Sequence, residues 1–173
     1  MNCPAIISNA QMVHRANKLI ATPQGQAIVR HENGDTSDIM ASVMNTFKSS
    51  PKDVSKFAQG LKGPTVQMSC INVWKFVKNN IKYLLDPLGY QYIPTPAVVW
   101  KNRYSDCKGY SIFIKSLLTS LNIPCKFRFV SYSSNSTKTH VYVIVPALPK
   151  ALILDCCMDA FNTEKQYTFK TDL

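Results

Sequence analysis

The chain has 173 residues, of which 46% are apolar and 17% charged, so it has the length and composition of one packed domain and not those of a disordered segment. Its 20 lysines and arginines outnumber its 10 acidic residues, which gives a formal net charge of +10. The positive charges are spread along the chain without a dense basic block. This spacing favours a solvated surface, with contact to nucleic acid or another acidic partner as the weaker alternative.

The sequence indicates neither a membrane span nor an export signal. A transmembrane helix needs about 20 consecutive apolar residues, and the best candidate, residues 141–154, is broken by Pro146 and Pro149. Residues 1–4 lack the basic segment and the apolar run of a signal peptide. We therefore expect a protein that is not secreted by a signal peptide.

The six cysteines show neither a CxxC motif nor zinc-finger spacing. Without an export signal they are expected to be reduced thiols and not a disulfide framework. Cys70 and Cys125 are interpreted as core residues, and the adjacent Cys156 and Cys157 as packing residues at the end of a strand. The sequence therefore predicts no metal site and no cofactor.

The first half of the chain is predicted to be helical. The apolar spacing and the capping residues favour four helices: residues 9–21, a helix capped by Thr36 or Ser37, a helix from Pro51 to about Leu61, and a longer helix from about Thr65 to Ile81. We expect residues 1–64 to form a helical extension or platform and residues 65–173 to form the domain that carries the function. The two parts are expected to pack as one compact unit.

The second half changes to the alternating apolar pattern of strands. Residues 126–132 alternate, and residues 139–145, 151–156 and 166–170 are predicted as further strands. Their short connections are typical of antiparallel neighbours. A helical first half followed by a strand-rich second half predicts an α+β fold.

One further helix, beginning near Cys107, is predicted to organise the rest of the chain. Ser105 or Asp106 can cap it, and Asn122 in the left-handed conformation, followed by Pro124, can end it. Its apolar positions fall on one face at helical spacing: Tyr110, Phe113, Ile114, Leu117, Leu118 and Leu121. Cys107 lies in the first turn, where the helix dipole favours a thiolate and free N–H groups can stabilise an oxyanion.

His140 and Asp155 can complete a catalytic site with Cys107. His140 opens one predicted strand and Asp155 ends the next. A thiol nucleophile needs a base to take its proton, and the base needs a carboxylate to fix its tautomer and orientation. Neighbouring antiparallel strands can supply the base and the carboxylate, and a helix packed across them can supply the thiol. Asp159 is a rival for the third role, but it falls beyond the predicted strand end.

Each of the three residues also has an ordinary structural interpretation. A cysteine is often a small core residue, but Cys107 has the polar neighbours Ser105, Asp106 and Lys108. An isolated histidine usually belongs to a loop or a core, yet His140 is the only histidine of the strand-rich half. Asp155 interrupts an apolar run, where a charge requires a partner. We therefore favour the triad over three unrelated residues.

The order of these motifs resembles the transglutaminase-like cysteine peptidase superfamily. In that family the helix of the catalytic cysteine ends in a leucine pair followed by a Gly-Ile-Pro phrase, and a histidine strand and a Leu-Asp strand end follow. The matching segments are Cys107 with Gly109, Leu117-Leu118, Leu121-Asn122-Ile123-Pro124-Cys125, His140-Val141-Tyr142 and Leu154-Asp155. Asn122 replaces the usual glycine, and Tyr142 stands where tryptophan is commoner.

Segments before the cysteine are similar to small versions of this family carried by bacteriophages. They are Ile81-Lys82-Tyr83, Asp86-Pro87, and Pro96 and Trp100 ahead of Ser105-Asp106-Cys107. The whole resemblance covers about residues 65 to 160. It implies a papain/transglutaminase-like fold, with the cysteine-bearing helix packed on an antiparallel sheet.

The resemblance also implies the chemistry. Cys107 would be the nucleophile, His140 the base and then the acid, and Asp155 the orienting group. No residue clearly matches the oxyanion side chain of the family; the backbone N–H of Cys107 is one donor, and Gln91 or Trp100 is a candidate for another.

We therefore expect a cysteine-dependent hydrolase or acyltransferase that acts on amide bonds of protein or peptide and is encoded by a phage. The alternative is a phage virion or neck protein that keeps the fold with little or no catalysis. Other virion proteins are then possible partners, and the location is the host cytoplasm or the virion. A nucleic-acid-binding module is the weakest interpretation, because it requires clustered basic residues beside exposed aromatic residues.

Overall fold

The computed structural model describes residues 8–25, 27–134, 137 and 139–173. Residues 1–4, on which the expectation of no export signal depends, lie outside this part of the chain. Within it, no helix combines the length and the apolar character needed to cross a membrane.

Six α-helices are present in the described residues, and the predicted helices of the first half are among them. Their bounds are α1 Asn9–Leu19, α2 Thr36–Ser49, α3 Pro51–Ala58, α4 Val66–Asn80, α5 Pro96–Asn102 and α6 Cys107–Ser120, with a 3₁₀ turn at Gln59–Leu61 after α3. The caps follow from the sequence: Thr65 accepts a hydrogen bond from the Met68 N–H at the start of α4, and proline occupies the first turn of α3 and of α5. The cap of α2 is Asp35, not the predicted Thr36 or Ser37.

The second half contains the strands β5 Lys126–Ser131, β6 His140–Val145, β7 Leu152–Leu154 and β8 Phe169–Asp172. They form one four-stranded antiparallel sheet in the order β7-β6-β5-β8. The two pairings of β6 place its first residue, His140, opposite Val130 of β5, and its last residue, Val145, opposite Leu152 of β7. Strand β8 begins at Phe169, later than the predicted 166–170. Its bounds are set by the register of its pairing with β5, in which Phe169 lies opposite Ser131.

Two small sheets lie outside this one. Strands β1 Ile28–Glu32 and β3 Tyr90–Pro94 pair antiparallel, while β2 Lys82–Tyr83 and β4 Tyr104–Ser105 pair parallel. The parallel pair was not predicted, since two-residue strands leave no periodic pattern. It is functionally relevant because β4 ends directly before the Cys107 helix.

Helix α6 lies in the centre of the molecule, between the other helices and strand β6. The predicted apolar face is buried, but so are residues on its other faces, including Lys108, Ser111 and Ser116. The single apolar stripe of the sequence analysis is therefore too narrow a description, because helices and sheet cover α6 from several sides. Asn122 has φ 58° at the end of this helix, as predicted.

The buried apolar residues of the helical first half and of one face of the sheet belong to one connected cluster, while Val130, Tyr142, Ile144 and Ile153 of the sheet form a second, smaller cluster. Ala16, Val43 and Val54 from the first three helices and Leu154 from β7 are all completely buried within it. The molecule has the predicted α+β fold, with a cysteine-bearing helix packed against an antiparallel sheet and further helices at the N-terminal side.

Candidate active site

The start of α6 is fixed by a side-chain cap and by a close contact. The Asp106 carboxylate accepts hydrogen bonds from the backbone N–H groups of Lys108, at 3.0 Å, and Gly109, at 3.4 Å. A Cβ atom on Gly109 would lie 2.0 Å from Ser105 Oγ and 3.0 Å from Pro94 Cγ. Glycine is therefore required here, and the approach that it permits holds the first turn of α6 against β3 and β4.

Cys107 is the first residue of this helix, and its side chain is partly exposed. It lines a cavity of about 390 Å³ together with His140 and Gln91. The helix start thus places Cys107 at the edge of the core, where it also lines a cavity, whereas Cys70 is completely buried.

His140 and Asp155 are in direct contact. The Nε2 atom of His140 lies 2.7 Å from Oδ2 of Asp155, with both side chains largely buried. Since Nε2 is engaged with the carboxylate, Nδ1 is the ring nitrogen available to Cys107. The sheet brings the two residues together because β6 and β7 pair antiparallel, so that the start of β6 lies beside the chain leaving β7.

Asp155 is itself held by three hydrogen bonds. Its Oδ1 accepts from the backbone N–H of Cys157 at 2.9 Å, its Oδ2 faces His140, and its backbone carbonyl accepts from the indole N–H of Trp74 at 3.0 Å. Because both carboxylate oxygens have partners and the backbone is fixed from α4, the carboxylate can orient the imidazole without moving.

Opposing effects act on the pKa of His140. Burial lowers it, whereas hydrogen bonds with Asp155 and Cys107 and the negative charges of these residues raise it, to about 10. The raising effects prevail because the imidazolium lies between two groups that can carry negative charge. The site therefore stabilises the charged form of the His140 ring.

A buried charge cluster supports the same helix start. The ammonium group of Lys108, which is 5% exposed, contacts the Asp106 carboxylate, Asp86 Oδ2 at 3.0 Å and Gln91 Oε1 at 2.8 Å. Burial raises the pKa of Asp106, with the negative charge of Asp86 adding to it, while Lys108 opposes the rise. Asp86 also accepts from the Tyr92 N–H at 2.8 Å. The cluster joins β3, α6 and the segment after β2.

The two candidates for an oxyanion donor lie in different environments. Gln91 lines the cavity with Cys107, and since its Oε1 accepts from Lys108, its amide nitrogen is the end left to donate. Trp100 is 6% exposed and lies in the core, with its ring 5.3 Å from that of Phe76.

The rival carboxylate, Asp159, lies on the surface. Its side chain is fully exposed and pairs with Lys78 at 3.4 Å. This surface position follows from its place beyond the end of β7.

Sequence reasoning did not identify Lys108, Asp86 or Trp74 as supports of the site. The sequence offers one signal for Lys108, since a lysine next to the candidate nucleophile in a helix with an apolar majority needs a buried partner. Asp86 and Trp74 lie 20 or more residues away from Cys107 along the chain, and nothing in their local sequence indicates the contact.

Comparison with known proteins gives a consistent result. The family model of the transglutaminase-like domain matches residues 52–172. One similar solved structure is described as a "putative protease" of Parabacteroides distasonis, with 18% identity and a TM-score of 0.58 over 69% of this chain and 26% of that one. Another, a "putative cysteine protease" of Cytophaga hutchinsonii, has 15% identity and a TM-score of 0.50 over 69% of this chain and 42% of that one.

LapG of Legionella pneumophila also aligns, with 15% identity and a TM-score of 0.49 over 76% of this chain and 77% of LapG. At this level of identity, the similarity to the first two structures shows the fold alone. This chain spans about a quarter of the length of the Parabacteroides distasonis protein and about two fifths of that of the Cytophaga hutchinsonii protein. No protein of curated function matches the sequence.

Proposed function

The chain is a member of the transglutaminase-like family, and from this premise we propose that it is a cysteine-dependent hydrolase or acyltransferase acting on amide bonds of protein or peptide. The observation that carries the proposal is the contact of 2.7 Å between His140 Nε2 and Asp155 Oδ2, next to a cavity that Cys107 also lines. In the proposal, these three residues form the catalytic triad.

The proposed reaction has two halves. The Cys107 sulfur, with its proton on His140, attacks the carbonyl carbon of the amide and forms a tetrahedral intermediate. His140 then gives its proton to the nitrogen of the leaving amine, the C–N bond breaks, and a thioester to Cys107 remains. Water or a second amine attacks the thioester as His140 takes the incoming proton, and the thiolate is released.

Asp155 acts on His140 and does not touch the substrate. Its carboxylate holds the ring so that Nδ1 faces the sulfur, and it stabilises the imidazolium. The oxyanion is stabilised by the backbone N–H of Cys107 at the helix start and by the amide of Gln91. The hydrogen bond of 2.8 Å from Lys108 to Gln91 supports this role, because it leaves the NH₂ end of the amide as the donor.

The proposal is tested with a general protein substrate. Casein is incubated with the protein and a fluorescent primary amine, and new N-termini and incorporated amine are both measured. We expect one of the two products with the native chain and neither with Cys107→Ala or His140→Ala. Product formation by Cys107→Ala at the native rate would overturn the proposal, and so would the absence of both products across a panel of proteins and peptide amides.

The bacteriophage origin, the virion or neck role and the location in host cytoplasm or virion stay predictions from the sequence resemblance. Contact with other virion proteins or nucleic acid and the division at residue 64 also stay predictions.

A further inference from the structure

A second cysteine, Cys157, lies beside His140 and Asp155. Donor atoms of His140, Asp155 and Cys157 all lie within 4.8 Å of one another. The three residues come from the start of β6 and from the turn after β7, so the antiparallel pairing of these strands gathers them. His140 lies 15 residues before Asp155 along the chain, so no short Cys/His spacing marks the group in the sequence.

The three donors match the ligands of one metal ion. Imidazole nitrogen, carboxylate oxygen and thiolate sulfur are the ligands that Zn²⁺ takes in proteins, and three protein ligands with a water molecule complete a tetrahedron. In such a site the donor atoms lie about 3.4–3.6 Å apart, from bonds of about 2.0–2.3 Å. His140 Nε2 and Asp155 Oδ2 are now 2.7 Å apart. Binding of the ion would therefore increase this distance by less than about 1 Å.

The charges around this position are mixed. The Asp155 carboxylate and, under the proposed function, the Cys107 thiolate attract a divalent cation. Lys78, Lys82 and Lys165 lie on the wall of the same cleft, and Lys78 is paired with Asp159.

Two of the three donors are also accessible. His140 and Cys157 line a cleft of about 500 Å³ whose wall includes Tyr83, Tyr132 and Met158. Tyr83, Thr139 and His140 belong both to this cleft and to the cavity that Cys107 lines. An ion can therefore reach His140 and Cys157 from a cleft that Cys107 itself does not line.

We propose that His140, Asp155 and Cys157 form a zinc-binding site that competes with catalysis. Binding exchanges the thiol proton of Cys157, and the Nε2 proton of His140, for the metal ion, and these protons pass to solvent. Zinc on Nε2 leaves the remaining ring proton on Nδ1, so the imidazolium that protonates the leaving amine cannot form. The inhibitory effect rests on the proposed function, whereas the binding of zinc does not.

The neighbouring cysteines provide matched controls. Cys156 is 2% exposed, and its sulfur donates to the backbone carbonyl of Trp74, so Cys156→Ser changes a thiol in the same turn without changing the site. Cys107→Ala removes the nucleophile and tests whether zinc binds to the Cys107 sulfur and not to that of Cys157.

The experiment is a calorimetric titration of the reduced full chain with Zn²⁺ alone. We expect one zinc per chain for the native protein, Cys156→Ser and Cys107→Ala, and at least a tenfold loss of affinity for Cys157→Ser. Native affinity in Cys157→Ser would overturn the proposal, as would loss of binding in Cys107→Ala. Since Cys107→Ala has no activity under the proposed function, this readout separates failure of the zinc site from failure of the enzyme assignment.

A second measurement does not depend on the folding of Cys157→Ser. Co²⁺ replaces zinc in such sites and gives a thiolate-to-metal charge-transfer band in the near ultraviolet. We expect this band in the Cys107→Ala chain, where Cys157 is the thiolate of the site. Its absence there would overturn the assignment of Cys157 as a ligand.

Discussion

At His140, burial and hydrogen bonding have opposite effects on the pKa of the imidazole. Burial disfavours the charged ring, while Asp155 and Cys107 favour it strongly enough to place the pKa at about 10. The position of this pKa decides over which pH range an imidazolium can hold the thiolate and later protonate a leaving amine. It is therefore the electrostatic quantity on which the proposed chemistry depends.

Replacing Asp155 with asparagine should lower the pKa of His140. The amide keeps an oxygen that can accept from the ring, but the negative charge is lost, so the pKa should fall from about 10 towards the ordinary value of about 6.5. An NMR titration of the imidazole measures this value directly. An unchanged pKa in Asp155→Asn would contradict the ion-pair account of the site.

The same raised pKa predicts a pH dependence of stability. The folded chain binds the His140 proton more tightly than the unfolded chain does, so this contribution is complete below about pH 6.5 and is lost as the pH rises through about 10. Between these values the free energy of unfolding should fall by up to about 1.4 kcal/mol per pH unit. Denaturant unfolding of His140→Gln beside the native chain measures the difference, and parallel pH profiles would contradict the prediction.

At Gly109, the addition of a single methyl group should destabilise the protein. In Gly109→Ala the new Cβ meets Ser105 Oγ at 2.0 Å and Pro94 Cγ at 3.0 Å, so we expect a loss of about 1–3 kcal/mol of stability. Chemical denaturation measures it. Gly60→Ala is the control, since its Cβ would meet only the end of the Arg15 side chain at 3.4 Å. Equal costs at the two glycines would contradict the close approach at α6.

At the scale of elements, helix α6 depends on a buried ion cluster. Lys108 lies between Asp106 and Asp86, and removal of one partner leaves uncompensated buried charge. Lys108→Met should therefore cost about 3–5 kcal/mol. The double variant Lys108→Met/Asp106→Asn should recover part of this loss, because the asparagine keeps a cap for α6 and removes one charge. Thermal and denaturant unfolding test both variants, and a double variant as unstable as Lys108→Met would contradict the charge explanation.

The elements that could be predicted are those whose signals are local. The helix at Cys107 has an adjacent cap, a periodic apolar pattern and a left-handed asparagine at its end, and residues 126–132 alternate clearly. The parallel pair of two-residue strands β2 and β4 and the register of β8 could not be predicted, because they depend on partners distant in sequence. The same distinction holds in the site: Cys107, His140 and Asp155 stand out locally, whereas the partners of Lys108 do not.

At the scale of the whole molecule, the helices of the first 64 residues share a core with the sheet. Phe57 of α3 is 1% exposed, and its ring lies 4.6 Å from that of Phe76 in α4. This contact joins the predicted extension directly to the predicted functional domain. It favours folding of the described chain as one cooperative unit.

Phe57→Ala should accordingly destabilise the sheet as well as the helices, by about 3–5 kcal/mol. Far-ultraviolet circular dichroism reports mainly on the helices, and the fluorescence of Trp74 reports on the packing of α4 against the chain that leaves β7, because its indole N–H bonds the Asp155 carbonyl at 3.0 Å. The two signals should show the same unfolding midpoint, before and after the substitution. Leu88→Ala, at a fully exposed position, is the control. Two separate midpoints would show that the first helices form an independent unit and would contradict the prediction.

The central claim is that Cys107 is a nucleophile activated by His140, and its alkylation tests this claim most directly. The reduced chain is treated with iodoacetamide near neutral pH, and the rate at each cysteine is followed by peptide mass spectrometry. We expect Cys107 to react much faster than Cys70, whose buried thiol has its pKa raised to about 12, and to lose most of this advantage in His140→Ala. Alkylation of Cys107 as slow as that of Cys70, or unchanged in His140→Ala, would contradict the account.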